Sequence, residues 1–236
     1  MFQTSGATLP ASHKSQSEDR VLLNGLVLGE AGVLACASSE RLRVAVADGV
    51  GGSQNGAAAA ETALLQLANP ETRADDEGLR RIHENIGAAL PGLRGGTPPA
   101  TTLILAELEP GALSIASVGD SEAWLLREGR LIRLSDQHGE DGVISSCLGG
   151  GLAVFEIARD CPVDALQPSD ILLLCSDGLF KCLERAELRK LAQSAASVGA
   201  LAAALLEEVE ARNRPDDVAF LLVSESTASE PNESIP

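Results

Sequence analysis

The 236-residue chain has no tyrosine, one tryptophan and four phenylalanines, so aromatics make up 2% of it. Its core must be aliphatic, drawn from an apolar share of 44% rich in Ala, Leu and Val, with helices packing closely through alanine. Basic residues are scarce: 18 Lys and Arg stand against 34 Asp and Glu, a formal net charge of −16. An acidic chain with so few aromatics is a poor binder of nucleic acid and of anionic membranes. No apolar run is long enough to span a bilayer. Met1 to Pro10 lacks the basic start and apolar stretch of a signal peptide. The five cysteines include no CxxC pair and leave an odd count. Cys36, Cys147 and Cys175, among apolar or small neighbours, are expected as buried free thiols, so the predicted location is the reducing cytoplasm. Nucleotide signatures are missing too. Gly49-Val50-Gly51 lacks the third glycine of a dinucleotide turn, and no Lys-Ser/Thr pair follows to make a phosphate loop.

What the chain does have is acid at the ends of short apolar runs. Asp48-Gly49 closes LRVAVADG, Gly119-Asp120 closes LSIASVGD, Ser176-Asp177-Gly178 closes ILLLCSDG, and Asp216-Asp217 opens DDVAFLLV; Glu18-Asp19 lies nearer the N-terminus. Any one of these is ordinary turn or cap chemistry. Five together can converge on one edge of a sheet, where they repel unless cations lie between them. Hard oxygen donors of this kind suit Mg²⁺ or Mn²⁺.

The pattern around them predicts strands at Arg20–Leu23, Arg41–Ala47, Thr101–Leu108, Ala112–Val118, Ala123–Leu126, Arg130–Leu134, Ala153–Ala158, Ile171–Cys175 and Val218–Val223. Helices are predicted from Gly56 to about Asn69, and at Glu77–Leu90, Arg185–Ala196 and Val198–Arg212. Residues 1–20 read as an irregular or edge segment, and Pro91 to Pro99 as a Gly/Pro-rich loop. Pro110-Gly111 and Glu128-Gly129 predict hairpins. Hairpins with helices arriving in pairs point to an α+β fold rather than alternating βαβ units. One domain over residues 1–223 is expected, then a polar acidic tail over 224–236 expected to be disordered.

In order and wording, DGVGG, the Thr-Thr pair of GTPPATT, GDS before a hairpin, SDGL and a terminal Asp-Asp resemble the type 2C (PPM) metal-dependent protein serine/threonine phosphatases in a compact bacterial form. The resemblance runs from Ser17 to Val223. It implies a four-layer α-β-β-α sandwich of two antiparallel sheets flanked by helix pairs, with two Mn²⁺ or Mg²⁺ ions at one end. It further implies that Asp48 bridges both ions, that the Gly49 carbonyl binds one, and that Asp177 and Asp216 hold the second. Glu18 and Asp19 would act through coordinated water, and a hydroxide bridging the ions would attack phosphoserine or phosphothreonine. The implied partners are a phosphoprotein substrate and an opposing bacterial Ser/Thr kinase in a signalling pathway; oligomeric state stays open.

Three positions depart from the family. Lys14, in KSQSED, stands where a phosphate-gripping Arg is usual, so a point charge replaces a bidentate fork. Val50 stands where some members have His; His138 is a candidate replacement proton donor, with a structural role as the alternative. Asp120 matches an aspartate linked to a third, weaker ion, but its companion position is Lys181, whose charge disfavours that ion. Two firmly held ions are therefore expected. The stretch between His138 and Phe155 is short for the family's flap. These departures leave a second reading open, a weak or inactive phosphatase-fold binding module.

Overall fold

The apolar runs become the middle of two antiparallel sheets. In the computed structural model, which describes residues 1–32, 35–50, 55–90, 96–140, 143–159, 161 and 163–225, five strands open the chain. They are β1 (Phe2–Leu9), β2 (Arg20–Leu23), β3 (Leu26–Leu28), β4 (Ala35–Ser39) and β5 (Leu42–Ala47). Helices α1 (Gly56–Ala68) and α2 (Asp76–Ala89) follow. Next come β6 (Ala100–Thr101), β7 (Leu103–Glu109), β8 (Ala112–Val118), β9 (Glu122–Arg127) and β10 (Arg130–Arg133). The short strands β11 (Gly139–Glu140), β12 (Val143–Ile144) and β13 (Leu148–Gly149) lead to β14 (Ile171–Cys175). Helices α3 (Gly178–Cys182), α4 (Arg185–Ser194) and α5 (Val198–Glu210) precede β15 (Val218–Glu225). One sheet runs β10-β9-β14-β15-β1-β4 and the other β3-β2-β5-β7-β8.

Alternation of side chains builds the layers. Leu172, Leu174, Ala219, Leu221 and Val223 face Val44, Val46, Ile104 and Ala106 across the space between the sheets. Their neighbours Leu173, Cys175, Phe220 and Leu222 turn outward under α3, α4 and α5. Ala45, Ala47, Leu103 and Leu105 turn outward under α1 and α2. On α1, Ala59, Ala60 and Ala63 are fully buried, the close alanine packing that an aromatic-poor core calls for. The result is the expected four-layer α-β-β-α sandwich. Among the described residues no helix is long and apolar enough to cross a membrane.

Four expectations change. Residues 2–9 are a central strand, not an irregular lead-in: β1 pairs with β15 along its whole length and with β4 on its other side. Its composition hid this, because Thr4, Ser5 and Thr8 are buried hydroxyls. Ser5 Oγ donates to the Ala35 carbonyl and Thr8 Oγ1 to that of Glu30, so part of this polarity is absorbed by neighbouring backbone. Gly6 is needed where a Cβ would come within 2.6 Å of the Phe220 carbonyl. Ala153–Ala158 is not a strand. Ala158 makes one antiparallel bridge to Ser117 of edge strand β8, while Val154 is exposed, so the segment pairs with β8 only at its last residue. Cys36 is exposed on edge strand β4, while Cys147 is half-buried and Cys175 buried. Finally, β15 runs to Glu225, two residues past the expected end of the domain. Gly51 and Gly52, residues 91–95 of the Gly/Pro loop, residues 141–142 of the short flap and tail residues 226–236 lie outside the described residues.

Because β1 bridges β15 and β4, deleting residues 1–9 should abolish cooperative unfolding rather than trim an edge. Thermal melts followed by circular dichroism check this, and a sharp transition in the truncated chain would restore the lead-in reading.

Candidate metal and phosphate site

Strand register carries the acids to one end of the sandwich. Arg20 opposes Ala47, which sets Asp19 beside Asp48. Cys175 opposes both Phe220 and Glu122, which brings Asp177 toward the start of β15 and toward Asp120. Asp48, Asp120, Asp177, Asp216 and Asp217 line one cleft of about 420 Å³, together with Gly49 and Lys14. Lys181, Val50, Val143 and Ile144 complete its wall. Asp19 is fully buried behind it, and Glu18 lies at its margin, bonded to Lys14.

Both Asp-Gly steps have a steric cause. A Cβ on Gly49 would meet the Gly56 carbonyl carbon at 2.4 Å, and one on Gly178 would meet the Asp217 carbonyl oxygen at 1.8 Å. The acids thus sit where backbones cross too closely for any side chain. The Thr-Thr pair clamps Asp48: Thr101 Oγ1 donates to the Asp48 carbonyl at 2.8 Å, and the Asp48 N–H donates to Thr102 Oγ1 at 3.2 Å. Thr102 Oγ1 in turn bonds Ser121 of the GDS motif at 2.7 Å.

Two residues assigned no role from the sequence organise the site. Ser176 ties the sheets together, donating to Asp19 Oδ2 at 2.7 Å while accepting the Ala219 N–H at 2.9 Å. Asp217 accepts from the Ala11 N–H at 2.7 Å, the Glu18 N–H at 2.8 Å and Lys14 Nζ at 3.0 Å, and so shapes the 11–18 segment. The Ser-Asp and Asp-Asp doublets were visible, but which member points inward is a matter of register. His138 takes the structural alternative: buried, it accepts the Gly119 N–H at Nδ1, 3.1 Å away.

The electrostatics are those of crowded acid. Burial, then the charges of Asp19 and Asp177, push the Asp48 carboxyl well above its ordinary range. Burial raises Asp19 to about 7 against the Ser176 hydrogen bond, with the Asp217 charge adding to the rise. Burial and the Asp177 charge raise Asp120 to about 6. Two lysines offset part of this. Lys14 lies 2.7 Å from Glu18, and Lys181 sits 2.6 Å from both Asp177 and Asp216. For each lysine, burial works against the charge, but the carboxylate hydrogen bonds outweigh it and hold the pKa above the usual lysine value.

Among the described residues no three His, Cys, Asp or Glu side chains are already drawn together as a cation cage. The donor set nonetheless fits hard divalent ions. Asp19 Oδ1 and Asp120 Oδ1 are buried without a hydrogen-bond partner, and the raised carboxyls are what a cation would relieve. All are oxygen donors, as Mg²⁺ and Mn²⁺ require. No cysteine lines the cleft, and burial raises the pKa of both Cys175 and Cys147.

Comparison with known proteins gives the family and the fold. The family described as Stage II sporulation protein E (SpoIIE) matches residues 38–225. The chain belongs to that family, within the type 2C (PPM) metal-dependent protein serine/threonine phosphatases. A serine/threonine phosphatase stp of Listeria welshimeri is 28% identical over 213 residues, covering 76% of this chain and 83% of the relative. A probable protein phosphatase 2C 41 of Oryza sativa is 29% identical over 186 residues, covering 66% of this chain and 64% of the relative. In fold, the phosphatase is similar to PppA, a regulatory component of the type VI secretion system in Pseudomonas aeruginosa. That match has a TM-score of 0.77 at 23% identity and covers 94% of this chain and 96% of PppA. The catalytic domain of PstP, in complex with two manganese ions, gives a TM-score of 0.72 at 22% identity, covering 95% and 99%.

The raised carboxyls set a pH dependence for the metal-free phosphatase. Unfolded, Asp19, Asp48 and Asp120 titrate near pH 4; folded, they keep their protons to higher pH. Between these limits the folded state binds more protons, so stability falls as pH rises. Glu187, held at about 2 by its hydrogen bond to Arg212, has contributed its full stability before this window opens. In chelator the melting temperature should therefore decline from about pH 5 to about pH 7.5, with a shallower slope for Asp19→Asn. A flat profile in the unmodified protein would show that folding does not make these acids hold their protons to higher pH.

Proposed function

We propose that the cleft hydrolyses phosphoserine and phosphothreonine in proteins with two Mn²⁺ or Mg²⁺ ions. Asp48, the Gly49 carbonyl, Asp177 and Asp216 would hold the ions, and Glu18 and Asp19 would act through water around them. One observation carries the reading: carboxylates from the strand ends of both sheets line a single cleft, with a lysine at either side. The two manganese ions belong to PstP, and the matching donor chemistry here supports the same number. When bound, the ion pair supplies charge neutralisation and a water activated for in-line attack on phosphorus.

The chain's own residues do the rest. Lys14 uses two N–H groups on Glu18 and Asp217, leaving the third for a phosphate oxygen. Its raised pKa keeps it charged at neutral pH. Asp217 fixes that lysine, and Ser176 fixes Asp19. Val50 offers no proton, and buried His138 does not line the cleft, so the leaving alkoxide takes its proton from solvent or substrate. Lys181 fills the place of a third ion, so Asp120 holds none at full occupancy. In the cell we place the enzyme in the cytoplasm, opposing a Ser/Thr kinase.

Phosphate release from a phosphothreonine peptide is the first test. It should require Mn²⁺ or Mg²⁺, vanish in chelator, and fall at least about a hundredfold in Asp177→Asn, the scale of losing a charge-stabilising group. Lys14→Ala should raise KM several-fold with a smaller change in kcat; both constants unchanged would remove Lys14 from the site. No release from folded, metal-loaded protein would overturn the proposal. Calorimetric titration with Mn²⁺ should give two ions. Because Lys181 competes for Asp177 and Asp216, Lys181→Ala should tighten one of them by about 3- to 10-fold, the scale of a half-exposed ion pair. Three ions at full occupancy in the unmodified protein would refute the role given to Lys181.

A further inference from the structure

The chain's one tryptophan lies next to this cleft, under two arginines. Trp124 is on β9, and on the helix side of the sheet it meets Phe180 of α3 edge-on, with ring centres 5.8 Å apart. The Arg185 guanidinium, at the start of α4, stacks 4.8 Å from the Trp124 ring and 4.3 Å from that of Phe180. Arg133 of edge strand β10 stacks on Trp124 at 5.7 Å. Guanidinium planes laid on aromatic faces are held in place while their N–H groups stay available.

These two cations are poorly satisfied. The carboxylate facing them is Glu122, which is buried and already accepts Trp124 Nε1–H at 2.5 Å and Gln137 Nε2–H at 3.0 Å. Its approaches to Arg133 and Arg185 are long, 3.4 and 3.5 Å. Arg133 Nε and Nη2 are enclosed and make no hydrogen bond. Two guanidiniums thus share one over-committed carboxylate, a local positive excess in a chain of net charge −16. Exposed Arg189, one helical turn beyond Arg185 on α4, adds to it. The patch adjoins the cleft through two elements. Phe180 precedes Lys181 on α3, and Glu122 follows Asp120 by two residues.

We propose that Arg133 and Arg185 form a subsite for a second anionic side chain of the substrate, a carboxylate or a further phosphate near the phosphoresidue bound in the cleft. An anion seated over the outward N–H groups of these guanidiniums, whose side chains are 33% and 48% exposed, gives them a charge-assisted acceptor that Glu122 does not provide. The subsite rests on the phosphatase reading of the cleft, and selects acidic or multiply phosphorylated segments.

The test uses Trp124 as its own reporter. Three peptides are compared: a phosphothreonine peptide with neutral flanks, one with glutamates flanking the phosphothreonine, and one with a second phosphoserine. A fourth, unphosphorylated Glu-rich peptide probes the patch without chemistry. That Glu-rich peptide should change Trp124 emission saturably, and an uncharged peptide of equal length should not. Arg185→Ala and Arg133→Gln, both shown folded by thermal melts, should lose the change. In hydrolysis by the metal-loaded enzyme, kcat/KM should favour an anionic peptide over the neutral one by about 5- to 10-fold, the scale of one partly exposed charge-assisted contact. That ratio should fall toward one in Arg185→Ala, and the larger of the two anionic responses identifies carboxylate or phosphate as the preferred group. Equal emission responses to acidic and uncharged peptides, or a preference that survives in folded Arg185→Ala, would overturn the subsite. Absence of all hydrolysis would overturn the reading of the cleft instead, and the emission titration would still decide the patch.

Discussion

Like charges crowded at the common edge of two sheets are the constraint on which this molecule turns. Buried Asp19 and half-buried Asp48 stand side by side, within reach of the charges of Asp216, Asp217, Asp177 and Asp120. Such a group opposes folding unless something supplies positive charge or hydrogen bonds. The fold supplies both. Ser176 and the Thr pair bring hydroxyls, Lys14 and Lys181 bring ammonium groups, and an unsatisfied oxygen of Asp19 remains for a cation's water. The cost carried by the metal-free site becomes binding energy for the ions, so stability and metal affinity are coupled through the same side chains.

Much of the surrounding architecture holds that edge in place. Hydrophobic faces of β14, β15, β5 and β7 lock the two sheets together, and Ser176 then joins them across the acidic end. Glycines 49 and 178 permit backbone crossings that no side chain would allow, each placing an aspartate just before the crossing. The Asp-Gly wording of the motifs is thus a packing statement as much as a chemical one. Asp217 shows the same economy: one buried carboxylate orders the segment that carries Lys14 and Glu18.

The surface follows a second electrostatic pattern. A net charge of −16 repels acidic substrates at long range, yet basic residues gather beside the cleft around Trp124. Attraction limited to that neighbourhood selects by local context, since screening removes fields beyond about 10 Å at moderate salt. Few aromatics are available in this chain, and two of the five are spent on holding those arginines.

Strand-end acids, hairpin turns and helix pairs were legible without coordinates, because apolar periodicity and Asp-Gly steps leave local marks. LRVAVADG and ILLLCSDG announced both strand and site, and GAAAAETALLQLA its helix. Residues 2–9 were not legible: FQTSGATL carries buried hydroxyls whose partners, Ala35 and Glu30, lie far along the chain. The stretch at 153–158 had strand composition but meets β8 only at Ala158, and exposed Cys36 had buried-looking neighbours. Nothing local marked Ser176 as the tie to Asp19, Lys181 as a partner of distant Asp216, or Arg133 and Arg185 as neighbours on one ring. Sequence by itself determined which chemistry was possible, through residue types at strand ends. Tertiary structure decided which groups meet, because register and sheet order bring together side chains up to two hundred positions apart.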